Sequence, residues 1–245
     1  MAAVTHVLTD LAAEYSRLDT IFAALSPAQW SAQSGAPGWT IRDVVAHLAI
    51  TEEGVAQTLL TPSNEWTNRD GLLDEVVHQR VQNDDSSAAE LLARWRIATE
   101  KSIAGLAAAD PMVAVRWAAA PLRPQTLATT RLAEHWAHGL DVCVPLEIAF
   151  PDTDRLRHIA WLGHATLPYA FRGADIDPFP VRCQLIGPNG DRWSFGPVDA
   201  TAVISGPAGL FCRVGARRLA GRTSGLTASN DQALAALDVL RNYAS

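Results

Sequence analysis

The sequence predicts an α + (α+β) protein, with a helical bundle over residues 1–172 followed by a small α+β domain over 173–245. Two observations carry this reading. Through the first part, apolar residues recur every three or four positions along several long segments, the period of helices with one buried stripe. After FRGADIDPFP (171–180) the texture changes to short strand-like pieces, VRCQLIG, DRWSFG and DATAVIS, and PNG between the first two marks a hairpin turn.

Each element follows from its punctuation. The opening helix occupies the first 25 residues, with Val4, Leu8, Leu11, Tyr15, Leu18, Phe22 and Leu25 on one stripe. It stops at SPAQW, where Pro27 and small polar residues break the period. SGAPGWT forms a loop, and Thr40 is a good N-cap for a second helix that starts at Ile41, buries Val44, Val45, Leu48, Val55 and Leu59, and ends near TPSN. Residues 70–84 make a shorter helix. Ser87-x-x-Glu90 is a capping box that opens a helix through Leu91, Leu92, Trp95, Ala98 and Leu106, closed by AADP. After the loop AAPLRPQT, a helix runs from about Gln125 to Val144, fenced by Pro145 and Pro151, and another spans Asp154 to Ala170. In the second part GPAGLFCRVGARRL is a helix, RLAGRTSGLTASN is rich in turns, and Asp231 to Tyr243 is a closing helix with Leu234, Leu237 and Leu240 on one side.

Composition excludes several classes. A net charge of −6 with no basic run leaves no footprint for nucleic acid. No stretch reaches the length of a membrane span, and the N-terminal segment carries Asp and Glu through its apolar positions, unlike a signal peptide. Cys143, Cys183 and Cys212 are far apart, with no CxxC, which argues against a disulfide framework or a cysteine-rich zinc knuckle and leads us to expect a cytoplasmic protein with reduced thiols. Lys101 is the single lysine among 20 Lys and Arg residues and alanine is abundant, a usage typical of GC-rich genomes such as those of actinobacteria.

The stretch RLAEHWAHGLDV (131–142) concentrates chemistry. Glu134 and His138 are four apart, Asp141 follows three later and Arg131 precedes Glu134 by three, so all four share one helix face. Leu132, Trp136, Leu140 and Cys143 occupy another side, and His135 points away from His138. A Glu-x-x-x-His pair offers a carboxylate and an imidazole to one divalent ion. A third ligand must come from elsewhere, and His47, at the edge of the buried stripe in RDVVAHLAI, is the candidate. On spacing alone the plainer readings stay open: a solvated surface pair, a core histidine satisfied by a backbone carbonyl, an Asp141 without a role, and an Arg131 that pairs with Glu134 within its own helix. Trp30 and Trp39 read as core anchors of the loop before the second helix. His78, His158 and His164 lack partners at ligand spacing and read as structural or exposed.

Taken together, SPAQW…SGAPGWTIRDVVAHLA and RLAEHWAHGLDV resemble the DinB-like family, in the branch typified by mycothiol-dependent maleylpyruvate isomerase. The second segment is similar to its E-x-x-x-H-G-x-D signature. From about Val181, and in VDATAVISGPAGLFCRVGARRL above all, the chain resembles that branch's sterol-carrier-protein-like domain, while WLGHATLPYAFRG looks closer to an actinobacterial side branch. The resemblance implies a DinB-like four-helix bundle whose divalent metal is held by His47, Glu134 and His138. Zinc is the expected ion, with nickel, iron or manganese as alternatives. It implies mycothiol as cosubstrate, with Asp141 in the catalytic group as acceptor of the other ring N–H of His138. Arg80, Arg217, Arg218 and Arg222 are candidate cationic clamps for an acidic small-molecule substrate. The expected activity is a thiol-dependent transferase or isomerase. The alternatives are a hydrolase or lyase that uses metal-bound water and a non-catalytic small-molecule binder. Either a monomer or a homodimer fits.

Overall fold

The computed structural model describes residues 2–61, 65–67, 73–118 and 120–242, with side chains from His6 onward. Residues 1–150 form one compact unit and 151–244 a second.

The first unit holds α1 (Ala2–Ala23), the single turn α2 (Pro27–Trp30), α3 (Ile41–Leu60), α4 (Leu73–Gln82), α5 (Ala88–Ala108) and α6 (Pro124–Cys143). Capping chemistry sets the starts. The Thr40 hydroxyl accepts from the Asp43 N–H while the Asp43 carboxylate receives the Thr40 N–H, and Ser87 with Glu90 repeats the device at α5. Each box satisfies two backbone donors that a helix N-terminus otherwise leaves orphaned. Residues 68–72, part of the helix expected over 70–84, lie outside the described residues.

The long helices α1, α3, α5 and α6 pack as the expected four-helix bundle. Leu11, Leu18 and Phe22 of α1, Val45 and Leu48 of α3, Leu91 and Trp95 of α5, and Leu127 and Leu132 of α6 are all fully buried. Each such side chain contributes about 1.5–3 kcal/mol by leaving water. Gly139 shows how closely α6 is seated: a methyl group there would stand 2.5 Å from Phe150 Cζ and 3.0 Å from Leu18 Cδ2. The Arg17 guanidinium lies 3.5 Å over the Phe150 ring and fixes it from the other side.

The second unit contains α7 (Leu156–Gly173), β1 (Val181–Ile186), β2 (Arg192–Phe195), β3 (Ala202–Pro207), α8 (Ala208–Gly215), β4 (Thr227–Ala228) and α9 (Asp231–Val239). The sheet order is β2-β1-β3-β4. β1 and β2 form the expected hairpin, with Gly190 at φ +88° supplying the turn, whereas β1 and β3 run parallel, Val181 opposite Ala202. Val181, Cys183 and Leu185 are buried, while Gln184 and Ile186 between and beyond them are exposed, the alternation of a half-covered sheet. Among the described residues no helix is long and apolar enough to cross a membrane.

Several limits differ from the sequence reading. The division between compact units falls after Phe150 and not after residue 172. The stripe Leu156, Ile159, Leu162, Leu167 and Phe171 is buried, and α7 packs on α8, α9 and β2. The turn-rich stretch after α8 contains β4, whose two residues are too few for a period to show. The closing helix ends at Val239, because the backbone of Leu240 is extended, and residues 243–245 lie outside the described residues.

Replacing Gly139 by Ala should destabilise the protein by about 1–3 kcal/mol through overpacking. Urea denaturation would show a lower midpoint with an unchanged slope; an unchanged midpoint would mean that the α1–α6 contact is slack.

Candidate metal centre

His47 projects from the second turn of α3, and Glu134 and His138 from successive turns of α6. One carboxylate oxygen, Glu134 Oε2, lies 3.5 Å from His47 Nε2 and 3.5 Å from His138 Nε2. The two imidazole centroids are 4.7 Å apart and inclined at 61°. All three donor atoms fall within 4.8 Å of one another. A charge-assisted hydrogen bond closes to about 2.7–2.9 Å, so these 3.5 Å contacts are long for direct hydrogen bonds. A four-coordinate ion with bonds of about 2.0–2.2 Å spaces its ligand atoms roughly 3.4 Å apart. The cluster therefore offers a donor set that could hold such an ion, with both nitrogen–oxygen separations close to that spacing. His47 Nδ1 is buried without a hydrogen-bond partner, so the reading of His47 as a core histidine satisfied by a backbone carbonyl does not hold.

Asp141, almost wholly buried, meets His138 Nδ1 at 2.9 Å through Oδ2. That carboxylate makes Nδ1 the protonated nitrogen and leaves Nε2 as the free donor toward Glu134 and His47. The loop before α3 seats Asp141 in turn. The Gly35 N–H donates to the Asp141 carbonyl at 2.7 Å, and a Cβ at Gly35 would stand 3.2 Å from Asp141 Oδ1. The same loop carries Trp39, half-buried, whose ring lies 5.2 Å from His47 and nearly parallel to His138 at 6.3 Å. Its Nε1–H donates to His78 Nδ1 at 3.2 Å. Trp39 is thus a wall of the cluster and not the core anchor expected, whereas Trp30 is buried against Phe22.

The electrostatics distinguish the three groups. Burial pushes the His47 imidazole down, against the Glu134 hydrogen bond, so it is neutral and free to donate a lone pair. Burial alone would raise the Glu134 carboxyl, but hydrogen bonds to His138 and His47 hold it well below the usual carboxylate range. Burial likewise opposes protonation of His138, yet Asp141 and Glu134 raise it above the ordinary imidazole value.

Arg131 departs from expectation. Its Nε donates to Glu52 Oε1 on α3 at 2.5 Å and its Nη2 to Thr51 Oγ1 at 2.9 Å, all three side chains being buried. It therefore crosses to another helix in place of pairing within its own. His135, fully buried, accepts from Trp95 Nε1 at 3.1 Å; an indole only donates, so the His135 Nδ1–H must donate to the Arg131 carbonyl, 2.9 Å away. Burial depresses His135 to about 4, which keeps it neutral. One signal could have exposed this network: Glu52 sits four after Leu48 and three before Val55 on the buried stripe of α3, and a buried carboxylate demands a cation.

The arginines expected to clamp substrate divide between the two units. Arg80 on α4 donates to Glu65 at 3.0 Å and stands 4.7 Å over the Trp66 ring. Arg217, Arg218 and Arg222 belong to the second unit. Arg217 and Arg218 line a surface cavity of about 390 Å³, Arg217 with a left-handed backbone at φ +60°, and Arg222 donates to Asp238 at 2.5 Å. His164 is structural, its Nε2 3.0 Å from the Val181 carbonyl. The three cysteines are buried free thiols, and burial pushes Cys143 up to about 11, Cys183 up to about 12 and Cys212 further still. No cysteine of the chain offers a thiolate near neutral pH.

Comparison with known proteins accords with this architecture. Residues 11–143 match the family model for the mycothiol maleylpyruvate isomerase N-terminal domain. An uncharacterized protein of Mycobacterium tuberculosis, found in two strains, is 35% identical over 97% of this chain and 95% of its own. The crystal structure of the mycothiol-dependent maleylpyruvate isomerase superposes with a TM-score of 0.63 at 17% identity, covering 92% of each chain. A histidine-to-alanine mutant of that enzyme gives 0.61 at 18% identity over the same share. At such identities the likeness is one of fold.

Replacing Asp141 by Asn should lower the titration midpoint of His138 in the metal-free protein, since the carboxylate that stabilises the imidazolium is gone. Proton NMR of the histidine ring would record it; an unmoved midpoint would show that Asp141 does not govern His138.

Proposed function

The chain belongs to the mycothiol maleylpyruvate isomerase family, and from that premise we propose that it is a metal- and thiol-dependent transferase or isomerase acting on a small electrophilic metabolite. The observation that carries the proposal is that two helices bring three donor atoms within 4.8 Å of one another, each imidazole nitrogen 3.5 Å from Glu134 Oε2. His47, Glu134 and His138 would hold the ion, zinc by preference, nickel, iron or manganese also suiting two imidazoles and a carboxylate. When bound, the metal would supply exchangeable positions and lower the pKa of a coordinating thiol so that the thiolate exists at neutral pH.

The chain's own groups do the rest. Glu134 would offset one positive charge of the ion, and Asp141 acts as a positioning residue that keeps His138 in the tautomer with Nε2 free. Trp39 closes one side of the cluster and shields it from water. Because the protein's own thiols are buried and protonated, the nucleophilic sulfur must come from a cosubstrate, and the family points to mycothiol. The thiolate sulfur would add to one carbon of a C=C bond conjugated to a carbonyl, and the π pair would move onto the carbonyl oxygen as an enolate. An isomerase would let the enolate collapse after rotation about the resulting single bond, re-forming C=C and expelling the thiolate; a transferase would protonate the enolate and retain the thioether. Arg80, Arg217, Arg218 and Arg222 are proposed to bind acidic groups of the substrate. The reduced, buried thiols support a cytoplasmic location.

Purified protein should carry about one metal ion per chain, and His47→Ala, Glu134→Gln and His138→Ala should each lose it. Mycothiol should be consumed in the presence of electrophiles; stoichiometric metal with no thiol binding would remove the thiol from the mechanism, and activity without thiol would point to metal-bound water.

Metal affinity should also depend on pH. The proton that Asp141 and Glu134 hold on His138 must leave before Nε2 can serve as a ligand. Affinity therefore rises as pH increases toward the elevated His138 pKa, by up to about tenfold per unit, and levels off above it. Isothermal titration at several pH values measures this; a flat profile would argue against His138 as a ligand.

A further inference from the structure

We propose that Arg131, Thr51 and Glu52 form a latch that sets the register of α3 against α6 and thereby holds His47 opposite Glu134 and His138; the inference rests on the metal-centre reading above. The sequence places these residues one turn from the donors, Thr51 four after His47 and Arg131 three before Glu134. The Thr51 hydroxyl donates to the His47 carbonyl at 2.8 Å and accepts from Arg131 Nη2 at 2.9 Å. Two hydrogen bonds thus connect the guanidinium of the helix bearing Glu134 and His138 to the backbone of the residue that must face them. The Glu52 carboxylate, taking the Arg131 Nε–H at 2.5 Å, adds a charged bond directed across the same two helices.

The cation is enclosed. His135 engages the Arg131 carbonyl while Trp95 of α5 fixes His135, and the guanidinium lies 5.8 Å from the Trp117 ring centroid. Glu52 and His135 are fully buried, and Arg131 and Thr51 almost so.

Such a group is a poor choice for stability alone, because a buried ion pair gains little over well-packed apolar side chains of similar volume. Register is the gain. An apolar helix interface tolerates a small axial slide, and one residue of slide is about 1.5 Å. Metal–ligand bonds tolerate about 0.2 Å. Directed bonds of fixed length between the two ligand-bearing helices remove that slack.

The test is Co²⁺ titration of the metal-free protein, followed by its visible spectrum, with thermal melts alongside. Thr51→Val, which keeps the shape and deletes the hydroxyl, should weaken Co²⁺ binding about tenfold or more and alter the spectrum. Thr51→Ser, which keeps the hydroxyl, should bind like the wild type. Thr129→Val, which deletes a buried hydroxyl bonded only within α6 to the Gln125 carbonyl, should leave affinity and spectrum unchanged whatever it does to the melt. Glu52→Gln should weaken binding further; if it fails to fold, the Thr51 pair decides. Wild-type affinity and spectrum in Thr51→Val would overturn the latch while leaving the metal centre standing. Wild-type protein that binds Co²⁺ no better than His47→Ala would overturn the metal centre, and the latch with it.

Discussion

One carboxylate oxygen shared between two imidazoles is the constraint on which this bundle turns. Glu134 Oε2 stands equally far from a nitrogen on its own helix and a nitrogen on a neighbouring one. The first distance follows from helical geometry, since residues four apart lie one above the other. The second depends on how α3 and α6 meet. Later residues of α3 pair with earlier residues of α6, as Glu52 does with Arg131, so the two helices run antiparallel past each other. Gly139 lets α6 sit close to α1, and Gly35 lets the loop before α3 close on the end of α6 at Asp141. A methyl group at Gly139 would stand 2.5 Å from Phe150, and one at Gly35 would press on Asp141 at 3.1 Å.

Burial acts differently on the two histidines of RLAEHWAHGLDV. His135 enters the apolar interior, where its partners are an indole N–H and a backbone carbonyl, and desolvation keeps it neutral. His138 faces two carboxylates, whose combined pull exceeds desolvation and favours the imidazolium. Two identical side chains three residues apart thus differ in charge, one a neutral structural post and the other held toward the imidazolium. Near neutral pH the cysteines carry no comparable reactivity, because each is shut among apolar groups that disfavour a thiolate.

Much of the fold was legible in the chain because helix ends are local events. Thr40 with Asp43, and Ser87 with Glu90, announce their helices through hydrogen bonds that span three residues. The alternation in VRCQLI announces a strand by the same kind of local rule. The three residues that meet at the cluster were also nameable, two from their spacing on one helix and His47 from its place on the edge of an apolar stripe. Less visible were Trp39 as a wall and the partner of Arg131, since each depends on a neighbour remote in sequence.

By itself, then, the sequence determined the long helices and the strands longer than two residues, because periodicity and capping act within a few positions, and it offered His47, Glu134 and His138 as candidate donors through their spacing together with the family resemblance. Tertiary structure alone decided that Arg131 reaches across to Glu52, that Asp141 is gripped by Gly35, that α7 packs with the C-terminal sheet and its helices, and that β4 exists. Those outcomes hang on desolvation and on distances between elements remote in the chain, and a buried charge finds its partner only when the helices have met.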